Sequence, residues 1–280
     1  MSSSQKPSAR SNLQLRVISG IVLIVGALTL TWAGGIWYRL LCVAIGAAVL
    51  YEWISMTLPN GSQPVHRVLL SVLLGAVLVL LLVGAPATVL LPVLAGSLVL
   101  GVIHAVVSKA GFWPVAGLAY SALVAVSLAL LRGVDHAGLV VTLFLFAVVW
   151  CTDIFAYFVG RAIGGPKLAP SISPGKTWSG AVGGTISAVI AGILVAHFAG
   201  MTWELGALAL LVVGLSVISQ IGDLFESKLK RLCSVKDSSQ MIPGHGGVMD
   251  RVDGLATAAM ALYIIGICFA TIENPAAAFF

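Results

Sequence analysis

The sequence predicts an all-α polytopic membrane protein with about nine transmembrane helices and two polar cytoplasmic loops. Three observations predict it. Hydrophobic residues make up 59% of the 280-residue chain and charged residues only 9%, against about 25% charged in a soluble domain, so the chain cannot solvate a globular surface. Apolar runs recur at close to the roughly 20 residues that cross a bilayer as a helix. Lys and Arg fall almost entirely into alternate connections, which is the pattern of the positive-inside rule.

The apolar segments lie at 17–33, 36–57, 67–84, 87–108, 112–132, 138–160, 179–199, 204–222 and 254–272. Lys6, Arg10 and Arg16 precede the first, an arrangement shared with cleaved signal peptides. The many spans that follow make this segment the first of the series instead. Only Gly84-Ala85-Pro86 separates the third segment from the fourth, which predicts a helical hairpin. Segments of this length suit helices, because every backbone polar group must be satisfied inside lipid.

With a cytoplasmic N-terminus and alternating spans, thirteen of the fifteen Lys and Arg fall on the cytoplasmic side, and only Arg39 and Arg132 on the other. Merging the hairpin into one span would divide the basic connections between the two sides. The chain thus reads as an N-terminal region of about five helices, 1–137, and a C-terminal region, 138–280, that carries both long polar connections. The net charge of +5 follows from this placement and predicts no nucleic-acid partner. Cys42, Cys151, Cys233 and Cys268 form no Cys-x-x-Cys pair, so neither a disulfide framework nor a zinc site is predicted. Gly180-x-x-x-Gly184 predicts close packing of the seventh helix on a neighbour.

Polar residues inside apolar segments are few. Asp153 lies deep in one, where a carboxylate costs several kcal/mol unless it faces a partner or a polar cavity, so it is a functional candidate. Tyr157, four residues on, shares its helix face, whereas Thr152 points elsewhere. Glu52, between Tyr51 and Trp53 near a helix end, reads as an interface residue. His104 and His197 near helix ends, and His66 and His136 in connections, read as structural or solvated.

The first polar connection, 160–179, is rich in Gly, Pro and Ser and holds Arg161, Lys167 and Lys176 with no acid. Such a loop offers N–H groups, hydroxyls such as Ser173 and Thr177, and point charges to phosphate. Gly175-Lys176-Thr177 resembles the end of a P-loop, but Pro170 stands where that motif needs glycine. The second, 222–254, pairs Asp223 with Glu226 and Asp250 with Asp253, three residues apart each time. If the eighth and ninth helices pack together, Asp223 and Asp250 converge on one ion. Oxygen ligands of this kind suit Mg²⁺, which takes one or two carboxylates plus substrate phosphate oxygens. Lys228, Lys230, Arg231 and Lys236 lie between them with the segment Pro243-Gly-His-Gly-Gly247. Carboxylates for a metal and cations for phosphates, in one stretch, suit a metal–polyphosphate complex.

These residues resemble the signature of the phosphatidate cytidylyltransferases. Ser227, Leu229, Lys230 and Arg231 open it; Lys236-Asp237, Ser239, Ile242 and Pro243 follow; His245-Gly246-Gly247, Val248 and Asp250-Arg251-Val252-Asp253 close it, with no departure. The resemblance extends upstream through Asp153, Tyr157, Gly160-Arg161, 173–177 and Gly222-Asp223, and is specific over 150–254. It implies transfer of a cytidylyl group from CTP to phosphatidate, giving CDP-diacylglycerol and pyrophosphate, with Mg²⁺ on Asp223 and Asp250. Lys230, Arg231, Lys236 and Arg251 are then expected on phosphates, and Ser173, Lys176 and Thr177 on the nucleotide triphosphate or the lipid phosphate. Asp237, Asp253 and Ser227 belong to the same site, as do Asp153, Tyr157 and Arg161. His245 either donates to the leaving group or shapes its loop. A second, monovalent cation, a homodimer and a bacterial inner-membrane location complete what the resemblance implies.

The sequence admits two rivals. Asp250-Arg-Val-Asp-Gly254 copies the start of the CDP-alcohol phosphotransferase motif, but Thr257-Ala258 replace its Ala-Arg and no Asp follows Asp253. A secondary transporter with Asp153 as its ion site is the alternative of another class.

Overall fold

The structure, a computed structural model, describes residues 9–58, 64–109 and 111–280, without the side chains of 9–13, 15 and 16. Lys6 and the side chains of Arg10 and Arg16 therefore lie outside the described residues. Among the described residues nine α-helices run in order: α1 (Ala9–Ala33), α2 (Gly35–Thr57), α3 (Pro64–Val83), α4 (Ala87–Ser108), α5 (Trp113–Arg132), α6 (His136–Ile163), α7 (Trp178–Ala199), α8 (Leu205–Leu232) and α9 (Met249–Phe269). Among the described residues, α2 to α9 are long and apolar enough to cross a membrane, and α1 offers a shorter apolar stretch, Val17–Ala33. Each expected segment corresponds to one helix.

Local chemistry sets the ends. Asp135 caps α6 by accepting the Gly138 N–H at 2.8 Å, and Glu204 caps α8 by accepting from Ala207 at 3.1 Å; both satisfy donors that the first turn leaves free. Lys109 and Gly200 end α4 and α7 in the left-handed region. Gly84, with φ of 77°, makes the tight turn between α3 and α4.

Three elements depart from the sequence reading. The helix of the eighth span does not stop near 222 but continues to Leu232, and the ninth begins at Met249. Residues 223–231 and 250–253 are therefore helical, and the irregular part of the second connection is only 233–248. The first connection folds as a hairpin of β1 (Lys167–Ala169) and β2 (Ser173–Thr177), antiparallel, with Lys167 opposite Thr177 and Ala169 opposite Ser173. His66, read as a loop residue, lies in α3, buried, with Nε2 at 2.9 Å from Ser108 Oγ and its ring edge-on to His104 at 4.5 Å.

Helix α5 is the most enclosed of the eight apolar helices. It packs against α2, α3, α6 and α9, and Trp53 of α2 donates its indole N–H to Trp113 O at 2.8 Å. Lipid supplies no hydrophobic drive between helices, so close approach and interhelical hydrogen bonds hold the bundle. The expected contact of Gly180 and Gly184 is made with α6. A Cβ at Gly180 would stand 2.6 Å from Ala156 O, and one at Gly184 2.5 Å from Thr152 O. Just beyond, Thr152 donates to Ser216 Oγ at 2.9 Å, Thr185 Oγ1 lies 3.0 Å from the same oxygen, and Gln220 Nε2 donates to Thr185 at 3.1 Å. This row joins α6, α7 and α8, and it turns Thr152 away from Asp153 as expected.

The helix ends form two opposite faces. On one, Arg132 Nε donates to Thr31 O at 2.7 Å, and Asn274 Nδ2 to Asp135 Oδ2 at 3.0 Å. Glu273 accepts the N–H groups of Ala87 at 2.8 Å and Thr88 at 3.0 Å; those of Thr88 and Ala87 hold its carboxyl below its usual range. Arg39 packs beside Gly84 on this face, so the two cations expected apart from the rest stand together. The other face carries the hairpin, the end of α8 and the start of α9.

The α6–α7 contact gives a direct stability test. Gly184→Ala forces a methyl against a backbone carbonyl and should cost about 1–3 kcal/mol, seen as a lower unfolding midpoint in detergent. Gly214→Ala, where nothing lies within 4 Å of an added Cβ, should stay within about 0.5 kcal/mol of the parent.

Candidate active site

Four helix ends and the hairpin meet on the second face. Helices α8 and α9 touch because both carry glycine at the crossing. A Cβ at Gly222 would stand 2.8 Å from Asp253 O, and one at Gly254 3.1 Å from Ser219 O. This contact sets Asp223 and Glu226 on α8 against Asp250 and Asp253 on α9. The C-terminal half of α6 brings Asp153, Tyr157 and Arg161, and the hairpin brings Ser173, Lys176 and Thr177.

A cavity of about 680 Å³ opens among α6, the hairpin, α7 and α8, and Asp153, Tyr157, Arg161, Ser173, Lys176, Thr177 and Asp223 all line it. Lys176 is ion-paired with Asp223, and Ser227 Oγ donates to Asp223 Oδ1 at 3.4 Å. Arg161 donates to the Tyr157 hydroxyl at 2.9 Å. Thr177 is buried and caps α7, its Oγ1 accepting the Gly180 N–H at 3.1 Å. Arg231 donates to Ile172 O at 3.4 Å, tying the end of α8 to the hairpin.

A second cavity, of about 560 Å³, lies in the 233–248 segment and is lined by Lys236, Asp237, Gln240, His245 and Arg251, among others. Arg251 donates twice to His245 O, from Nε at 3.1 Å and Nη2 at 2.8 Å. His245 Nδ1 lies 2.7 Å from Ser19 Oγ, which donates to Pro243 O at 3.2 Å. Helix α1 thus rests on the loop, a contact that hydropathy does not encode.

Asp250 lies in the first turn of α9, next to Arg251 of the second cavity. Its Oδ1 accepts from Lys230 Nζ at 2.5 Å. Its Oδ2 accepts from Ser238 N at 2.9 Å, Ser238 Oγ at 2.9 Å and Gly247 N at 2.8 Å. Lys230 Nζ also lies 3.3 Å from Glu226 Oε1, and Glu226 is fully buried. Asp253 Oδ1 accepts the Gly254 N–H at 2.8 Å. Asp153 feels the negative charges of Asp253 and Asp223 and the positive charges of Lys176 and Arg251. Negative charge is concentrated here, and lysines answer it.

Among the described residues no three His, Cys, Asp or Glu form a ready-made metal cluster. Asp223 and Asp250 each hold a lysine ammonium where a metal ligand would hold its ion. Asp153, Asp223 and Asp253 lie close enough to repel one another, hard-oxygen chemistry that a divalent cation neutralises; Asp223 belongs to that group, and Asp250 offers its carboxylate from beside Lys230.

One residue that the sequence reading set aside belongs to this assembly. Glu52 of α2 is fully buried and accepts from Ser238 Oγ, Ser239 Oγ, Val248 N and Met249 N. The signal that could have found it is the one applied to Asp153, a carboxylate within an apolar helix. Its neighbours Tyr51 and Trp53 suggest an interfacial belt, but Trp53 is buried as well. Asp153, the ion site of the transporter reading, shares its cavity with Lys176 and Asp223.

Comparison with known proteins agrees with this geometry. The model of the cytidylyltransferase family matches residues 14–269. A Brucella suis protein named phosphatidate cytidylyltransferase is 48% identical over 277 residues, which is 96% of this chain and 99% of that one. A protein of the same name from Rickettsia bellii is 31% identical over 268 residues, 93% of each chain. One from Haemophilus influenzae is 47% identical over 127 residues, 44% of each. The family lends the transporter reading no support. From a match that spans nearly the whole chain, and a site that gathers the signature residues at one end of the bundle, it follows that the chain belongs to the cytidylyltransferase family.

Proposed function

We propose that the chain is a phosphatidate cytidylyltransferase of the bacterial inner membrane, with its site toward the cytoplasm. The observation that carries the reading is the gathering of signature residues about two cavities, Asp153, Lys176 and Asp223 on one and Lys236, Asp237, His245 and Arg251 on the other. One cavity is walled by membrane helices and the other by a polar loop. Phosphatidate keeps its acyl chains in lipid while CTP comes from water, and a site of this build serves both.

The reaction needs no protein nucleophile. A phosphate oxygen of phosphatidate attacks the α-phosphorus of CTP; the new P–O bond forms as the bond to the β-phosphate bridging oxygen breaks, and pyrophosphate leaves with that electron pair. The protein supplies position and charge. Lys176, Lys230, Arg231, Lys236 and Arg251 neutralise phosphate oxygens. Arg161 and Tyr157 orient a phosphate on the α6 side with Ser173. His245, beside Ser19 and among the residues of the second cavity, either donates to the leaving pyrophosphate or shapes its loop. Asp237 and Asp253 balance the surrounding cations, and Ser227 steadies Asp223. Asp223 and Asp250 would hold Mg²⁺, which would polarise the α-phosphate and offset charge on the leaving group. Lys176 and Lys230 stabilise these carboxylates before substrate arrives, and each lysine is then free to turn to a phosphate. The homodimer and the second, monovalent cation expected from the family belong to the same reading.

The purified protein in detergent should convert phosphatidate to CDP-diacylglycerol with CTP and Mg²⁺, releasing one pyrophosphate per lipid. No product under these conditions contradicts the assignment. Asp223→Asn and Asp250→Asn should each lower kcat by on the order of 10²-fold or more in protein that still folds; near-parental turnover in both removes the metal-binding roles. For orientation, Ser234→Cys, at an exposed turn after α8, should react with an impermeant maleimide in inside-out vesicles. Labelling in intact cells would reverse the topology.

A further inference from the structure

Glu52 is a carboxylate with no exposed surface, and it lies on α2, far in sequence from the signature it touches. Its two oxygens are used fully and separately. Oε1 accepts the Val248 N–H at 2.8 Å and the Ser239 hydroxyl at 2.6 Å. Oε2 accepts the Met249 N–H at 2.7 Å and the Ser238 hydroxyl at 3.1 Å. All four donors are neutral groups of the signature segment or of the start of α9.

Helix α9 needs such a partner. Its first N–H groups have no acceptor within the helix, and Val248, at the N-cap position, has no side chain that can serve. Three successive amides are instead divided between two carboxylates. Gly247 donates to Asp250, and Val248 and Met249 donate to Glu52. The Ser238 hydroxyl lies between the two acids, 2.9 Å from Asp250 Oδ2 and 3.1 Å from Glu52 Oε2. Glu52 also explains the second glycine of His245-Gly246-Gly247. A Cβ at Gly247 would stand 2.5 Å from Glu52 Oε1, as well as striking the Ser238 hydroxyl.

We propose that Glu52 is a positioning residue for cytidylyl transfer: from α2 it fixes the first turn of α9 and the signature loop, so that Asp250 is presented to Lys230. The inference rests on the cytidylyltransferase reading of this site. Among the described residues Glu52 bonds to no cation; it acts through Ser238, Ser239 and the N–H groups of Val248 and Met249. It explains why a bundle whose chemistry lies in its C-terminal region depends on a helix of its N-terminal one.

Glu52→Gln tests this at constant size. One backbone N–H points at each oxygen, so neither orientation of the amide satisfies both, and one N–H faces an NH₂ group. Misplacement of a catalytic group by about 1 Å costs about 10²-fold. The folded variant should therefore lose roughly 10²-fold in kcat, with the KM for CTP moving less than about three-fold. Amide hydrogen exchange in the 246–252 peptide should quicken at least ten-fold, by the order expected when a capping acceptor is lost. Ser239→Ala, which removes one donor to Glu52 and leaves Asp250 its partners, should lose several-fold in kcat with KM unchanged. If Glu52→Gln yields no folded protein, Ser239→Ala decides, and parental kcat there overturns the proposal. So does a folded Glu52→Gln with kcat within two-fold of the parent, or a loss carried wholly by KM. The parent enzyme is assayed alongside. If it makes no CDP-diacylglycerol, the reaction assignment fails, whereas an inactive variant beside an active parent bears on Glu52 alone.

Discussion

The carboxylate of Asp250 is the group on which the site depends. It takes a lysine ammonium on one oxygen and two backbone amides and a hydroxyl on the other. Those donors come from α8 and from two points of the 233–248 segment, Ser238 and Gly247. That segment, α8 and α9, which carries Asp250, are therefore fixed relative to one another by one acid. A charge-assisted bond is stronger than a neutral one, and the partial burial of Asp250 limits competition from water. A metal or a substrate phosphate that enters must exchange with Lys230 rather than create the arrangement.

The same economy repeats on the α6 side, where Lys176 answers Asp223. The two lysine–carboxylate pairs flank the buried Glu226 and the repelling Asp153 and Asp253. Packing keeps these like charges together. Gly222 and Gly254 let α8 and α9 approach, and Gly180 and Gly184 do the same for α6 and α7. In lipid such contacts replace the hydrophobic drive that would hold a soluble core. The glycines of this chain are thus part of its electrostatics, because they set the distance between acids.

Much of this was legible in the sequence. Long apolar runs and the placement of Lys and Arg gave the helices and their alternation, and Asp153 stood out because a carboxylate in lipid must have a reason. The extension of α8 to Leu232 was not legible, because hydropathy falls at Asp223 while the backbone stays helical; the two properties end at different residues. The β-hairpin at 167–177 was hidden by its Pro and Gly content. Glu52 was hidden for another reason. Whether an acid near a helix end faces water or a neighbouring helix depends on packing between segments roughly 200 residues apart, and no local pattern records it. His66 was misread likewise, since α3 starts before its apolar run does.

If the Lys230–Asp250 pair works as one unit, its members should fail together. The decisive measurement is a double-mutant cycle on kcat for CDP-diacylglycerol formation, with Lys230→Met, Asp250→Asn and the double variant, each checked for its unfolding midpoint. The double variant should be no slower than the slower single variant, within about three-fold, because neighbouring groups in one network are strongly non-additive. Losses that multiply across the two positions would contradict the account, since Lys230 and Asp250 would then act on the reaction independently.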